Sequence, residues 1–303
     1  MSKIRLVAGS AGFVLLWNTG FIGAEFGLPY SGPFTLLFWR YLALTVVLGL
    51  SVLLRRERRH LSPRRFAGIA LVGVLSHGVW LTCVLVSIDA GVPAGIVALV
   101  VALQPLLTGV FSGPATGERT SVGQWVGLLV GFAGVAVAVG GRLTGGTPAA
   151  PGYYLLPFAS AAAITIASLI QRRRRLREPE FKLPAGLELL IQSAATTVAL
   201  VVPALVLESF ATDWTLTYGV TMVWLALAVS LGAYALLWKL LSRVSATRIA
   251  SLFFLGPPVT LVMAWVAFGD AVVATDLIGL AVAGLGVVLV TRRRYPNIGL
   301  NAK

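Results

Sequence analysis

The chain has 303 residues, of which 57% are hydrophobic and only 12% charged, against about 25% charged in an average soluble domain. Too little polar surface is available to cover that apolar content, so a water-soluble globular domain is excluded and an integral membrane protein is expected. The net charge of +13 raises nucleic-acid binding as an alternative, and the placement of the basic residues decides against it below.

Taken in chain order, apolar runs long enough to cross a bilayer, about 20 residues each, fall near 5–25, 33–54, 66–88, 93–113, 122–140, 152–171, 184–207, 218–241, 246–268 and 275–291. The first lacks a convincing small-residue cleavage site and reads as a retained span. It carries Trp17 and Asn18 near its middle and closes on Glu25. Arg40 opens the second span, so Glu25 and Arg40 form a candidate outer gate, and Arg40 is also a candidate partner for a substrate carboxylate. His77 lies near the centre of the third span, with Trp80 three residues on and on the same face. An ionisable residue at that depth defaults to a functional hypothesis, and histidine can carry a coupled proton. A neutral His77 bonded to a helix backbone or to Ser76 is the alternative.

Gln104-Pro105 interrupts the fourth span, and Gly256-Pro257-Pro258 interrupts the ninth, within SLFFLGPPVTLV. Proline frees backbone carbonyls, and irregular backbone at depth is tolerated where it is packed in protein or lines a water-filled cavity. These positions are read as hinge or cavity backbone, with a static kink as the alternative. Tyr234 and Trp238 share a face of the eighth span. Asn18 can hold a carboxylate or an amine, or simply bond a neighbouring helix. The substrate-binding candidates are therefore Trp17, Asn18, His77, Trp80, Gln104, Tyr234 and Trp238.

With ten spans and both termini inside, all but Arg40 and Arg142 of the 24 Lys and Arg fall on the cytoplasmic side. The positive-inside rule predicts this bias, and the basic runs read as topology anchors near anionic lipid, with no nucleic-acid partner. The single cysteine, Cys83, excludes an internal disulfide framework. No Cys/His cluster has metal-ligand spacing, so no metal and no cofactor is expected.

An internal repeat is visible. Residues 98–139 and 251–290 each hold an apolar run with a central proline, a Gly-acid turn and a glycine-spaced helix. Pro105 matches Pro258, Gly117-Glu118 matches Gly269-Asp270, and Gly127 and Gly134 match Gly279 and Gly286. The turn acids read as N-caps of the helices that follow. The expected fold is all-α and integral to the membrane: ten transmembrane helices built as two inverted five-helix repeats, residues 1–145 and 146–303, the second with a basic cytoplasmic tail. An odd number of spans per half inverts the second half, an arrangement typical of secondary transporters with a midplane site.

These residues resemble the drug/metabolite transporter superfamily and, within it, the EamA-type exporters. The resemblance rests on the first-span LLWNTGFIGAEFGL, the second-span LLFWRYLAL, and the proline-helix, acidic-turn, glycine-helix pattern that ends each half. It covers nearly the whole chain. The family more often has Gly, Ser or Thr after the first-span Trp, where this chain has Asn18. The resemblance implies export of small metabolites, often amino acids, by alternating access across the cell inner (cytoplasmic) membrane, with both termini cytoplasmic. The alternatives are a multidrug or cation exporter of the same fold and an intramembrane lipid-modifying enzyme. The chain has no G-x-S-x-G motif and no nucleotide-binding loop, so a non-enzymatic, gradient-driven protein is expected. The internal pseudo-dimer favours a working monomer over a dimer.

Overall fold

The structure, a computed structural model, describes residues 3–55, 60–104, 106–108, 111, 122–144, 149–178, 180–181, 183–241, 252–253 and 255–291. Contiguous helical stretches are labelled α1 (Lys3–Gly27), α2 (Pro33–Leu54), α3 (Pro63–Asp89), α4 (Ala94–Val101), α5 (Val122–Thr144), α6 (Pro151–Arg177), α7 (Ala185–Glu208), α8 (Leu216–Leu241), α9 (Gly256–Phe268) and α10 (Ala274–Thr291). Among the described residues there is no strand, only an isolated bridge between Ser31 and Thr212. Seven of these helical stretches are long and apolar enough to cross a membrane, while Ala94–Thr108, Gly256–Phe268 and Ala274–Gly286 are apolar but shorter.

The outward faces of the helices are apolar, as a lipid solvent demands, and the buried polar residues sit among an apolar core. On α7, Val198, Val202 and Val206 recur every fourth residue and are exposed, whereas Ser193, Thr196 and Thr197 face inward and are buried. Two of those hydroxyls bond back into the helix, Ser193 to the Leu189 carbonyl at 2.8 Å and Thr197 to the Ser193 carbonyl at 2.9 Å. The core gathers Leu36, Leu37 and Leu44 of α2, Val84, Leu85 and Ile88 of α3, and the buried face of α4. Helix pairing runs between the two halves of the chain: α2 packs on α7, α4 on α9, α5 on α10, α1 on α8, and α3 on α6 and α7.

The structure departs from the expected spans in three places. First, α3 and α8 each contain a π-helical stretch, Val74–Val79 and Trp224–Ala233. Apolar periodicity carries no signal for the i→i+5 pairing that defines these. Second, α4 breaks at a turn over Ala102 and Leu103, just ahead of Gln104, and Pro105 lies outside the described residues. Third, the break in the ninth span falls just ahead of its prolines: residues 252–253 are helical, the chain turns at Leu255, and Pro257 and Pro258 stand in the first turn of α9, which has no intrahelical use for their missing N–H groups. The described helix starts at Gly256 rather than near 246, and residues 242–251 lie outside the description. The Leu255 carbonyl accepts from the Val259 N–H at 3.2 Å, so the chain turns at Leu255 and restarts.

One end of the fold is laced across the halves. The Glu208 carboxylate, at the end of α7, accepts from the Phe34 and Thr35 N–H groups of α2 at 3.1 and 2.7 Å, an anion on a helix N-terminus. Beside it the Asp213 N–H donates to the Tyr30 carbonyl at 2.8 Å, the Trp39 indole to Thr212 at 3.1 Å, and the Tyr218 hydroxyl to Ser31 at 3.1 Å.

The α5–α10 pair is held by glycine and one buried ion pair. A Cβ on Gly134 would sit 2.6 Å from the Gly279 carbonyl and overlap the backbone of Ala283. Arg142 reaches across with Nε 3.0 Å from Asp276 Oδ1, a close Nη2 contact to Asp276 Oδ2, and a 2.7 Å bond from Nη2 to the Ala271 carbonyl. Asp276 also accepts from the Val273 N–H at 3.1 Å, so it takes the capping role expected of Asp270. Asp270 lies ahead of the helix, where burial pushes its carboxyl above the usual carboxylate range and Arg142 draws it back. Glu118, the matching turn acid, lies outside the described residues. Replacing Gly134 by Ala must push α5 off α10 and should cost about 1–3 kcal/mol, the usual scale of overpacking. Gly284→Ala, on α10 with open space at its Cβ, should leave the melting temperature of the purified protein unchanged. Thermal unfolding of the two variants side by side checks this.

Candidate functional site

Two cavities lie between the halves of the chain. The smaller, about 40 Å³, is lined by Trp17, Phe21, Arg40, His77, Trp80 and Tyr234, among others. The larger, about 250 Å³, shares Trp17, Phe21, Trp80 and Tyr234 with it and adds Asn18, Gln104, Ser168, Phe253, Gly256 and Pro257. The four shared aromatic residues make the two spaces neighbours across one wall.

The wall is built from α1 outward. Trp17 packs on Phe13, Tyr234 and Phe253 at ring separations of 5.6, 5.4 and 5.2 Å. Tyr234 continues to His77 at 6.3 Å, and His77 to Tyr41 at 5.4 Å. Edge-to-face and tilted contacts at these distances are favourable beyond the area they bury, so the aromatic lining is held in place by its own packing.

The polar groups each have a traceable support. His77 sits in the π stretch of α3, buried, with Nε2 3.2 Å from Gln192 Oε1 of α7. Gly73 allows this pairing, because a Cβ there would lie 2.5 Å from the Gln192 Cα. Ser76 donates to the Val72 carbonyl, and the imidazole's partner among the described residues is Gln192. Arg40 is buried and donates through Nε and Nη2 to the Ser230 hydroxyl at 3.1 and 3.0 Å. Ser230 lies in the π stretch of α8 and donates to the Leu225 carbonyl five residues back, at 2.9 Å. Asn18 donates to the Val14 carbonyl at 2.7 Å and accepts from Thr260 of α9 at 2.9 Å. Gln104 donates to Thr108 at 2.9 Å and to Ser168 at 3.4 Å.

Trp17, Asn18, His77, Trp80, Gln104, Tyr234, Gly256 and Pro257 thus all line one or the other cavity. Pro258 follows in α9 without lining either. Pro105 and the Trp238 side chain lie outside what the structure describes. Glu25 and Arg40 are not brought together. Arg40 is the eighth residue of α2, roughly 10 Å into the helix at 1.5 Å per residue, and it turns to Ser230. Glu25 has a buried Oε2 with no hydrogen-bond partner among the described residues.

Compared with known proteins, residues 6–140 match the profile of the EamA-like transporter family. Over that segment the chain is similar to EamA-like transporters. The family belongs to the drug/metabolite transporter superfamily, as the resemblance implied. EamA members are membrane transporters of small molecules, and the apolar helices make this chain a multi-pass membrane protein. A solved crystal structure, described only as that of a protein, superposes on 97% of this chain and 100% of its own with a TM-score of 0.64 and 22% sequence identity. At that identity the likeness is one of fold. No curated protein matches the chain.

The EamA resemblance did not lead to Ser230, Gln192, Tyr41 or Ser168. Serine and glutamine on apolar spans were a visible signal, but nothing in sequence paired Ser230 with Arg40 across 190 residues. The Asn18–Thr260 bond is directly testable. A double-mutant cycle of Asn18→Ala and Thr260→Val should give a coupling energy of about 1 kcal/mol, the scale of interhelical hydrogen bonds in membranes, read from unfolding in mixed micelles.

Proposed function

We propose that this protein is a secondary transporter that exports small amphipathic metabolites, amino acids or related compounds, across the cytoplasmic membrane by alternating access. The observation that carries the reading is the cavity pair, lined by Trp17, Arg40, His77, Trp80 and Gln104 from the first half and by Ser168, Ser230, Tyr234 and Pro257 from the second. A site shared by two halves is exposed to one side or the other as they rock.

The inverted-repeat, ten-helix reading is supported by the pairing. Equivalent helices meet as α2–α7, α4–α9 and α5–α10, an arrangement compatible with a pseudo-two-fold axis in the membrane plane. His77 and Ser230 stand 153 positions apart, as do Pro105 and Pro258. Both lie in π stretches of equivalent helices, and each bonds a residue of the opposite half. The basic loops orient both termini to the cytoplasm, and the internal pseudo-dimer lets a monomer work. In that orientation the Glu208 lacing closes the outer side, so the outer gate is this lacing and not a Glu25–Arg40 pair.

A cation exporter of the same fold fits less well. No Asp or Glu lines either cavity among the described residues, and one guanidinium does. The sequence has no nucleotide-binding loop, so a gradient drives transport, and His77 is the cavity's proton carrier.

The test is reconstitution into liposomes with labelled amino acids, with and without an imposed pH gradient. Saturable uptake is expected, with Trp17→Ala and Gln104→Ala each lowering it at least tenfold. His77→Gln should remove the response to the pH gradient. An unaltered pH response in that variant would end the proton-carrier assignment, and no uptake by monodisperse protein would end the transport reading for this class.

A further inference from the structure

Arg40 is the one charged side chain, apart from the titratable His77, that lines either cavity among the described residues. It is 6% exposed. A guanidinium carries five N–H donors, and the contacts to Ser230 use Nε and Nη2 only. No carboxylate is paired with it among the described residues. Buried cations are normally paired, because an uncompensated one is costly. Trp80 lines the same space and is 7% exposed, and its Nε1–H is buried without a partner among the described residues.

We infer that Arg40, oriented by Ser230 and joined by the Trp80 indole N–H, binds the carboxylate of a monoanionic substrate whose apolar body lies along Trp17, Phe21 and Tyr234. The planar fork suits a carboxylate. One cation compensates one negative charge, so a dianion is left with an excess. An ammonium group meets no carboxylate here, so an amino acid gains nothing from its amine over the matching acid. The inference deepens the transport reading and rests on it, but the site is tested by binding alone.

Full-length protein in nanodiscs is titrated with 3-phenylpropionate, L-phenylalanine, 3-phenylpropionamide and phenethylamine. The acid should bind at least as tightly as phenylalanine, and the amide and amine about 10- to 100-fold more weakly, the scale of a charge-assisted hydrogen-bond pair. Arg40→Gln should abolish the preference for acid over amide. Arg40→Lys should keep part of it, because charge remains and the fork is lost. Trp80→Phe, which keeps a ring and loses the N–H, should weaken the acid several-fold and leave the amide unchanged. If Arg40→Gln does not fold, Arg40→Lys and Ser230→Ala carry the test, the latter weakening the acid selectively.

Equal binding of acid and amide, a tenfold preference for phenylalanine over the acid, unchanged preference in the Arg40 variants, or no acid binding by folded protein each overturns the assignment. Arg40-dependent binding without movement of the acid across liposomes would end the transport reading and leave the site standing. Amino-acid uptake indifferent to Arg40 would do the reverse.

Discussion

In a bilayer every backbone N–H and C=O must find its partner inside the protein, and the placement of proline, π helix and glycine in this chain follows from that. Pro257 and Pro258 stand in the first turn of α9, where their missing N–H groups leave nothing unmet. The π stretches of α3 and α8 keep the backbone paired while shifting its register. Even Ser230 obeys the rule, giving its proton to a carbonyl five residues back while its oxygen serves Arg40.

Side-chain polarity is organised by the same constraint. Several inward-facing hydroxyls and amides are tied to a carbonyl or to a neighbouring helix: Asn18 to Val14 and Thr260, Gln104 to Thr108 and Ser168, Thr197 to Ser193. Each bond is small in energy. Their collective effect is positional, because a polar atom with a fixed partner fixes the rotamer of the side chain that faces the cavity. Arg40 and Trp80, which both line the smaller cavity, keep donors beyond those that the described residues take.

Much of this was legible in the chain. Composition and run length mark a membrane bundle, and the spacing of Trp17 and Asn18, His77 and Trp80, Gln104, and Gly256-Pro257 marks residues that line the cavities. Depth was harder to read than identity. Arg40 was placed at the mouth beside Glu25, because its position near the start of an apolar run does not say which way a long side chain turns. Its acceptor, Ser230, lies 190 residues away, and a lone serine in WLALAVSLGAY carries no distinguishing mark. The capping acid was misplaced for a similar reason: Asp270 follows the turn glycine in sequence, yet α10 starts later, and Asp276 reaches back to the N–H of Val273, just ahead of the helix.

The lacing around Glu208 also has a practical side. Ser31 and Thr212 are bridged through their backbones, one in the loop before α2 and the other in the loop before α8. The chain has a single cysteine, Cys83, within α3 and far along the chain from both loops. A covalent staple across these two loops would therefore meet little competing thiol chemistry. It would hold that end shut while leaving the aromatic wall, Arg40 and the amides untouched, giving a conformationally uniform protein for structure determination and for selecting state-specific binders.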